Sequence, residues 1–540
     1  MTSLREALAA AIKSLLRGKS FLQALLAFWI SPASLSPRDA EPTKCSNPQR
    51  AVADFLKEAE ILLLGPVDDG RLQDLAGKLK HQFREGLRSN PACMLPSYNH
   101  QLPNGSELGR YLALDVGGST LRVALVELNH RETPNLESGI VRIDSFKIDT
   151  KIRNLRGADF FDWMAERIQQ TMTKANEQQC YSLENPLLMG LAWSFPIDQT
   201  SSKGGKLCGM GKGFLAADGL LGEDLGAIIK AACQKKGLHV ELSAIVNDSS
   251  ATLLSEAYAS PSTRFGLILG TGVNIAVHLP VVTIGRHKYG VRPDTWHEKA
   301  SHVIVNTELG MFGKDVLPLT RWDKLLKSSH PRPDFQPLEH LVSGYYLGEV
   351  CRLALVEAIE STGLFCGVVP PSLLTPYSLD TETVSMIETD TSPSLEAARL
   401  LFVSRHPAPD EVSLPSVTDM AALKTLASYV SRRSASIVAA SLFALWELKA
   451  EEETEFLRSL PASSPFAAET EAELCLGTTV AAFNGSVIER YPGYRANLQK
   501  SIDDLIAAST TKNENGGSIK LTEAKESSLL GAAVALACLE

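Results

Sequence analysis

Leu112-Ala-Leu-Asp-Val-Gly-Gly-Ser-Thr-Leu-Arg-Val123 is the stretch on which the fold turns. It sits inside RYLALDVGGSTLRVALVEL (110–128), two apolar runs joined by Gly-Gly-Ser-Thr, a pattern that predicts a β-hairpin with a polar turn. Asp115 stands at the end of the first strand, and Gly117, Gly118, Ser119 and Thr120 make the turn. Glycines there let backbone N–H groups approach a phosphate with no Cβ in the way, and the hydroxyls add donors. Alone, the pattern describes an ordinary hairpin turn as readily as a phosphate site.

The same grammar of strand then polar turn returns in LLMGLAWSF (187–195), AIVND (244–248) and GLILGTGVNIAVHL (266–279). Helical segments such as FFDWMAERIQQTM (160–172) lie between them, which is α/β patterning. Gly270-Thr271-Gly272 is a second strand-ended glycine turn, and neither turn is a Walker loop, which needs GxxxxGK[ST]. Two such turns suggest two phosphate-binding hairpins, one in each half of a cleft. Between them Asn247-Asp248 ends the strand AIV. A carboxylate at a strand end is the right kind of group to take a proton from a substrate hydroxyl during phosphoryl transfer. The plainer alternative is a helix cap, because Ser249-Ser250-Ala251 begins a helical pattern. Lys212, in GMGKGF (209–214), suits an anionic ligand or is simply a solvated loop residue.

Taken together, these segments resemble in order and spacing the hexokinases of eukaryotic type, over about residues 50–540. LALDVGGSTLRV looks like that family's first phosphate hairpin, LAWSFP with Gln199 its sugar-binding strand and turn, and KGF (212–214) the end of its next sugar loop. IVND (245–248) resembles the segment with the catalytic Asp, GLILGTGVN (266–274) the second phosphate hairpin, and NTELGMFG (306–313) and QPLEHLVSGYYLGE (336–349) the segments with two sugar-contact glutamates. The resemblance implies an α/β, two-lobed actin-like ATPase (ribonuclease H-like) fold with a central cleft. It implies a sugar held by Ser194, Phe195, Pro196, Lys212, Asn247, Asp248, Asn274, Glu308 and Glu339, with Asp248 as base and Lys212 beside it in the chemistry. The phosphates of ATP would meet Gly117, Gly118, Ser119, Thr120, Arg122, Gly270, Thr271, Gly272, Gly485 and Ser486, with Mg²⁺ near Asp115.

The chain departs from the family pattern in places that bear on the sugar. Where the family's sugar loop reads Trp-Thr-Lys-Gly-Phe, this chain has Met210-Gly211-Lys212-Gly213-Phe214, so a large ring and a hydroxyl are missing. The first hairpin carries Ser119-Thr120-Leu121 for Thr-Asn-Phe, Val273 replaces a hydroxyl residue, and Asn484 stands where an Asp is usual. The terminal glycine-rich turn is reduced to ESSLLGAA (526–533), which leaves the adenosine contacts least supported. Freed volume near Lys212 leans the expectation toward N-acetylglucosamine, as in divergent fungal-type relatives. A glucose or broad-range hexokinase, and a sugar-sensing regulatory protein with weak or no activity, are the alternatives.

The whole chain agrees with this class. Its 540 residues are 44% apolar and 21% charged, with 53 Lys+Arg against 62 Asp+Glu and a net charge of −9. That is ordinary globular composition, and the acidic balance argues against a nucleic-acid partner. Nine scattered cysteines with no CxxC spacing read as reduced thiols, and a cytoplasmic location is expected. Residues 1–31 are basic and amphipathic and end in FLQALLAFWI (21–30), too short to span a bilayer. They are expected either to attach the protein to a membrane surface or to mitochondria, or to form a plain helix. Residues 1–49 are thus a basic and apolar segment with a proline-bearing linker; 50–108 and 249–515 are expected to form the large lobe, and 109–248 and 516–540 the small lobe.

Overall fold

The computed structural model describes residues 50–68, 70–131, 139–175, 181–211, 213–461, 463–509 and 517–539. The segment expected to attach the protein to a surface, and Lys212, lie outside the described residues. Two mixed sheets carry the fold, and they share one plan. In the first, Gly109–Val116, Thr120–Leu128 and Gly139–Lys147 form an antiparallel meander. Leu187–Trp193 and then Val240–Val246 extend its other edge in parallel. In the second, Thr263–Leu269, Val273–Pro280 and His302–Asn306 make the meander, with the short Leu95–Pro96 at its edge. Thr478–Asn484 and Ser518–Glu523 add in parallel.

The first hairpin forms where the sequence pattern puts it, and its strands are buried on both faces. Successive side chains point to opposite faces of a strand. Leu112, Leu114 and Val116 accordingly join the core packed with helix Ala158–Lys174, while Tyr111 and Ala113 turn the other way. That second face carries alanines, Ala113, Ala124, Ala192 and Ala244, and shares one buried cluster with Ala276 and Ile304 of the other sheet. Two helices fill this space: Asp248–Ala259, which follows directly from strand Val240–Val246, and Ser527–Ala537 near the C-terminus.

These helices come closer than side chains would allow. A Cβ on Gly531 would overlap the Ala251 carbonyl, one on Gly266 the Ser249 carbonyl, and one on Gly190 the Ala532 carbonyl.

Helices Val52–Leu63 and Gly70–Ser89 are broken at Gly65–Val67 as Gly65-Pro66 predicts, and they pack on the 43-residue helix Val417–Ser459. A capping box of Ser416 and Asp419 starts that long helix. Within it Arg433 is fully buried and grips Asp323 with two bonds of 2.6 and 2.8 Å. Burial alone would push Asp323 up, but the guanidinium outweighs it and holds the carboxyl below its usual range.

One expected boundary moves. Strand Ser518–Glu523 belongs to the second sheet and not to the small lobe. A parallel neighbour needs a crossover, and helix Tyr494–Ala508 supplies one from Thr478–Asn484 back into the same sheet. Only after Glu523 does the chain pass to the helix between the sheets.

Gly531→Ala is expected to cost about 1–3 kcal/mol, the usual penalty for forcing a methyl into a packed contact. Thermal unfolding would show it as a lower midpoint; an unchanged midpoint would mean that the two helices can separate without loss.

Candidate active site

The C-terminal ends of the parallel strands and the two glycine turns bring the candidate residues together. Strand Val240–Val246 ends at Asn247, which caps the following helix: its Oδ1 accepts from the Ser249 N–H at 2.9 Å and from the Ser249 hydroxyl at 2.6 Å. Asp248 is the first residue of that helix, and its Oδ1 accepts from the same N–H at 2.8 Å. The capping role open at the sequence level therefore falls to Asn247, and Asp248 stands where the helix dipole favours an anion.

From Asn247 a chain of amides crosses to the other sheet. Asn274 Nδ2 donates to Asn247 Oδ1 at 3.3 Å and to Asn306 Oδ1 at 2.8 Å. Asn306 Nδ2 donates in turn to Glu308 Oε1 at 2.9 Å. Asn274 Oδ1 accepts the Leu309 N–H at 3.2 Å, which fixes the amide's orientation. Glu308 adopts a left-handed backbone (φ 52), a strained state that only a well-determined surrounding sustains. Burial raises the Glu308 pKa, and the Asn306 amide works against that rise. Glu339 Oε2 accepts the Val273 N–H at 3.1 Å, and a side chain on Gly272 would meet the same oxygen at 2.8 Å. The second turn thus has a glycine where the glutamate must come close.

The two turns are braced differently. In the first, Gly117 N–H donates to the Thr120 carbonyl at 3.1 Å, Gly118 and Thr120 are half-buried, and Ser119 is exposed at the tip. Arg122 faces Asp115 across the hairpin and donates to its Oδ2 at 2.9 Å, while its Nη1 reaches Glu526 at 2.7 Å. Burial raises the Asp115 pKa and Arg122 opposes the rise. In the second turn Gly270 N–H donates to the Gly272 carbonyl at 3.0 Å and Thr271 is exposed. Gly485 and Ser486 abut it: a Cβ on Gly270 would lie 3.4 Å from the Ser486 nitrogen.

Ser194 follows strand Leu187–Trp193 and is half-buried; Pro196 beside it is exposed. Phe195 is turned into the core packed with helix Ala158–Lys174, with its ring 5.1 Å from both Trp193 and Phe214. Met210 is buried in the same cluster, whereas Gly211 has φ 59 and open space where a side chain would stand. Asn484 donates from Nδ2 to the Ala524 carbonyl at 3.2 Å, a bond that the more usual carboxylate cannot make. Two residues go beyond those picked from the sequence. Asn306 joins Asn274 to Glu308, and its position at a strand end, like that of Asn247, was the available signal. Arg153 donates to the Gly118 carbonyl at 2.9 Å and lies over the Phe214 ring, linking the first turn to the loop after Met210; no pattern marked it.

Residues 59–258 and 264–538 match two sequence models of the family described as hexokinase. The chain is 31% identical over 472 residues to the chloroplastic hexokinase-2 of Nicotiana tabacum, covering 86% of each protein. It is 29% identical over 451 residues to hexokinase-2 of Candida albicans, covering 83% of this chain and 84% of that protein. A solved hexokinase of Schistosoma mansoni, complexed with glucose, superposes with a TM-score of 0.69 at 25% identity, over 90% of this chain and 100% of that one. The chain belongs to the hexokinase family. It is a sugar phosphotransferase with that family's two-lobed actin-like ATPase fold, an ATP-dependent hexose kinase.

Asn306→Ala removes the amide that favours the charged form of Glu308. Its pKa then rises further, and the acid limb of sugar binding is expected to move to higher pH, with affinity at neutral pH about tenfold weaker. Titrating sugar by calorimetry across about pH 5–8 checks this; an unmoved limb would assign Asn306 a packing role only.

Proposed function

We propose that the enzyme transfers the γ-phosphoryl group of Mg·ATP to the 6-hydroxyl of a hexose, with Asp248 as general base. The observation that carries this reading is the chain of amides Asn247, Asn274 and Asn306, which links Glu308 to the residue next to Asp248. A sugar presents several hydroxyls, and a ring of fixed carboxylates and amides matches them; each buried group left unmatched costs about 1–3 kcal/mol. Glu339, Glu308, Asn274 and Asn247 would take the ring hydroxyls, leaving O6 to Asp248. As O6 bonds to the γ-phosphorus and the bond to the bridging oxygen of ADP breaks, the O6 proton passes to the Asp248 carboxylate. The transition state is loose, so alignment matters more than a strong base.

Arg122 and the N–H groups of the two glycine turns would neutralise charge on the phosphates. For Mg²⁺ the residues fit a metal carried on the nucleotide: no group of three or more His, Cys, Asp or Glu could cage it among the described residues, and Mg²⁺ in such sites commonly has one or two carboxylates besides phosphates. Asp115 is the carboxylate near the first turn that would serve, and the ion would supply charge compensation to the phosphates.

For the sugar, a glucose-like hexose is the reading supported by the names of the relatives and by the glucose complex of the Schistosoma enzyme. Met210 also speaks for it, because the volume change at that position is taken up in the core and not in the cleft. Gly211 favours the second reading, N-acetylglucosamine, because the space beside it is open.

Asp248→Ala should lower kcat by about 10²–10⁴ while sugar binding persists; near-normal turnover would remove Asp248 from the chemistry. Comparing kcat/KM for glucose, fructose, mannose, glucosamine and N-acetylglucosamine decides the sugar, with the highest value expected for glucose. A preference for N-acetylglucosamine would instead make Gly211 a specificity device.

A further inference from the structure

Arg153 has no part in the transfer reaction described above, yet it stands between the two loops which that reaction needs in register. One is the first glycine turn, and the other is the loop that holds Gly211, Gly213 and Phe214. Arg153 closes the one-turn helix Thr150–Arg153, which Asp149 caps by accepting the Ile152 N–H at 3.0 Å. Toward the turn there are two bonds: Ile148 N–H donates to the Ser119 carbonyl at 2.8 Å, and Arg153 Nη2 donates to the Gly118 carbonyl at 2.9 Å. Toward the other loop there are three contacts. The Arg153 carbonyl accepts the Leu215 N–H at 2.9 Å, the guanidinium lies over the Phe214 ring, and Arg156 Nη1 donates to Asp218 Oδ2 at 2.9 Å. The segments also touch at Gly157, where a Cβ would lie 2.9 Å from the Asp218 carbonyl oxygen.

The bond to Gly118 has a direction. In a trans peptide the C=O and the following N–H point opposite ways, and no peptide bond among the described residues is cis. Holding the Gly118 carbonyl toward Arg153 therefore turns the N–H of Ser119, the exposed tip of the turn, to the opposite side. The Phe214 ring is fixed in its turn, edge-on to Phe160 at 5.6 Å and to Phe195 at 5.1 Å, next to Ser194. Arg153 Nε is buried and has no hydrogen-bond partner among the described residues. Buried donors are nearly always matched, so an arginine that served packing alone would be placed to use it. This one gives its bond to a turn carbonyl and its flat face to an aromatic ring.

We propose that Arg153 is a positioning residue that aims the Ser119 N–H at the phosphates of the nucleotide and ties that aim, through Phe214, to the loop beside the sugar. This rests on the reading that the first turn receives phosphate and the loop around Gly211 the sugar. Coupling between two sites needs a physical element that both of them bias. The stretch 148–157 is bonded to both loops and is such an element. A shift of either loop pulls on the other through one side chain.

The experiment measures by calorimetry the affinity of a non-hydrolysable Mg·ATP analogue with and without saturating glucose, and of glucose with and without the analogue. Wild type, Arg153→Ala and Arg153→Lys are compared, beside thermal unfolding and steady-state kinetics. In wild type each ligand should tighten the other by the same factor, about fivefold or more. Arg153→Ala should weaken the analogue about tenfold and raise KM for ATP about tenfold, the scale of one lost bond from a charged group. Its coupling factor should fall to within about twofold of one, while glucose measured alone stays within about twofold of wild type. Arg153→Lys keeps a charged donor for Gly118 but not the flat guanidinium over Phe214. There the analogue measured alone should stay within about twofold of wild type, and the coupling factor should still fall; if the alanine variant does not fold, this variant decides. An unchanged coupling factor overturns the proposal, even where the unfolding midpoint drops and both ligands weaken, because that pattern makes Arg153 a packing residue. A wild type that phosphorylates glucose with no coupling also overturns it and leaves the kinase reading intact. A wild type that transfers phosphate to no hexose overturns that reading and the positioning role with it.

Discussion

Backbone meets backbone at the centre of this enzyme. The helix that begins with Asp248 touches the second sheet through Gly266 and the C-terminal helix through Gly531, and that helix touches the first sheet through Gly190. Each contact leaves no room for a Cβ, and many of the surrounding positions are alanines. The close packing leaves the Asp248 helix few ways to slide. A displacement of about 1 Å at a reacting group can cost about a hundredfold in rate, so with Asp248 as the proposed base the small residues between the sheets would bear on chemistry that they never touch.

Polar contacts complete what this packing begins. Asn247 caps the helix and passes its alignment through Asn274 and Asn306 to Glu308, which spans the ends of both sheets. Around the second sheet and the long helix, buried charges are answered in sets: Arg433 with Asp323, and Lys449 and Arg264 with Glu453 and Glu473. Lys449 and Arg264 outweigh burial and hold Glu473 well below the usual carboxylate range. Such pairs add little net stability compared with a greasy core, but removing one partner strands a charge, at about 3–5 kcal/mol. They fix which helix faces which.

Local features were legible in the sequence where local chemistry decides them. The Gly117–Thr120 turn, the break at Gly65-Pro66 and the strand ending at Asn247 follow from turn residues and alternation over a few positions. Features that depend on distant partners were not. The place of Ser518–Glu523 depends on which edge a crossover helix reaches, and Arg153 finds Gly118 only in the folded chain. Met210 reads as a loop residue beside a candidate ligand, yet neighbours far along the chain draw it into the core. Asn484 reads as a lost carboxylate, and the bond to Ala524 that it makes instead is invisible until both strands are in register.

The position of helix Ser527–Ala537 also bears on biosynthesis. This helix fills the space between the sheets and is the packing partner of the Asp248 helix, yet it is made long after the strands of the first sheet. During synthesis the N-terminal parts of a chain are available to fold first. The first sheet has all its strands by Val246, and can form early. The alanine-lined face between the sheets must then wait, without that helix, while the strands of the second sheet are made. During that interval the nascent chain leaves an apolar surface open, and the helix that begins with Asp248 lacks its packing partner until Ser527–Ala537 has left the exit tunnel.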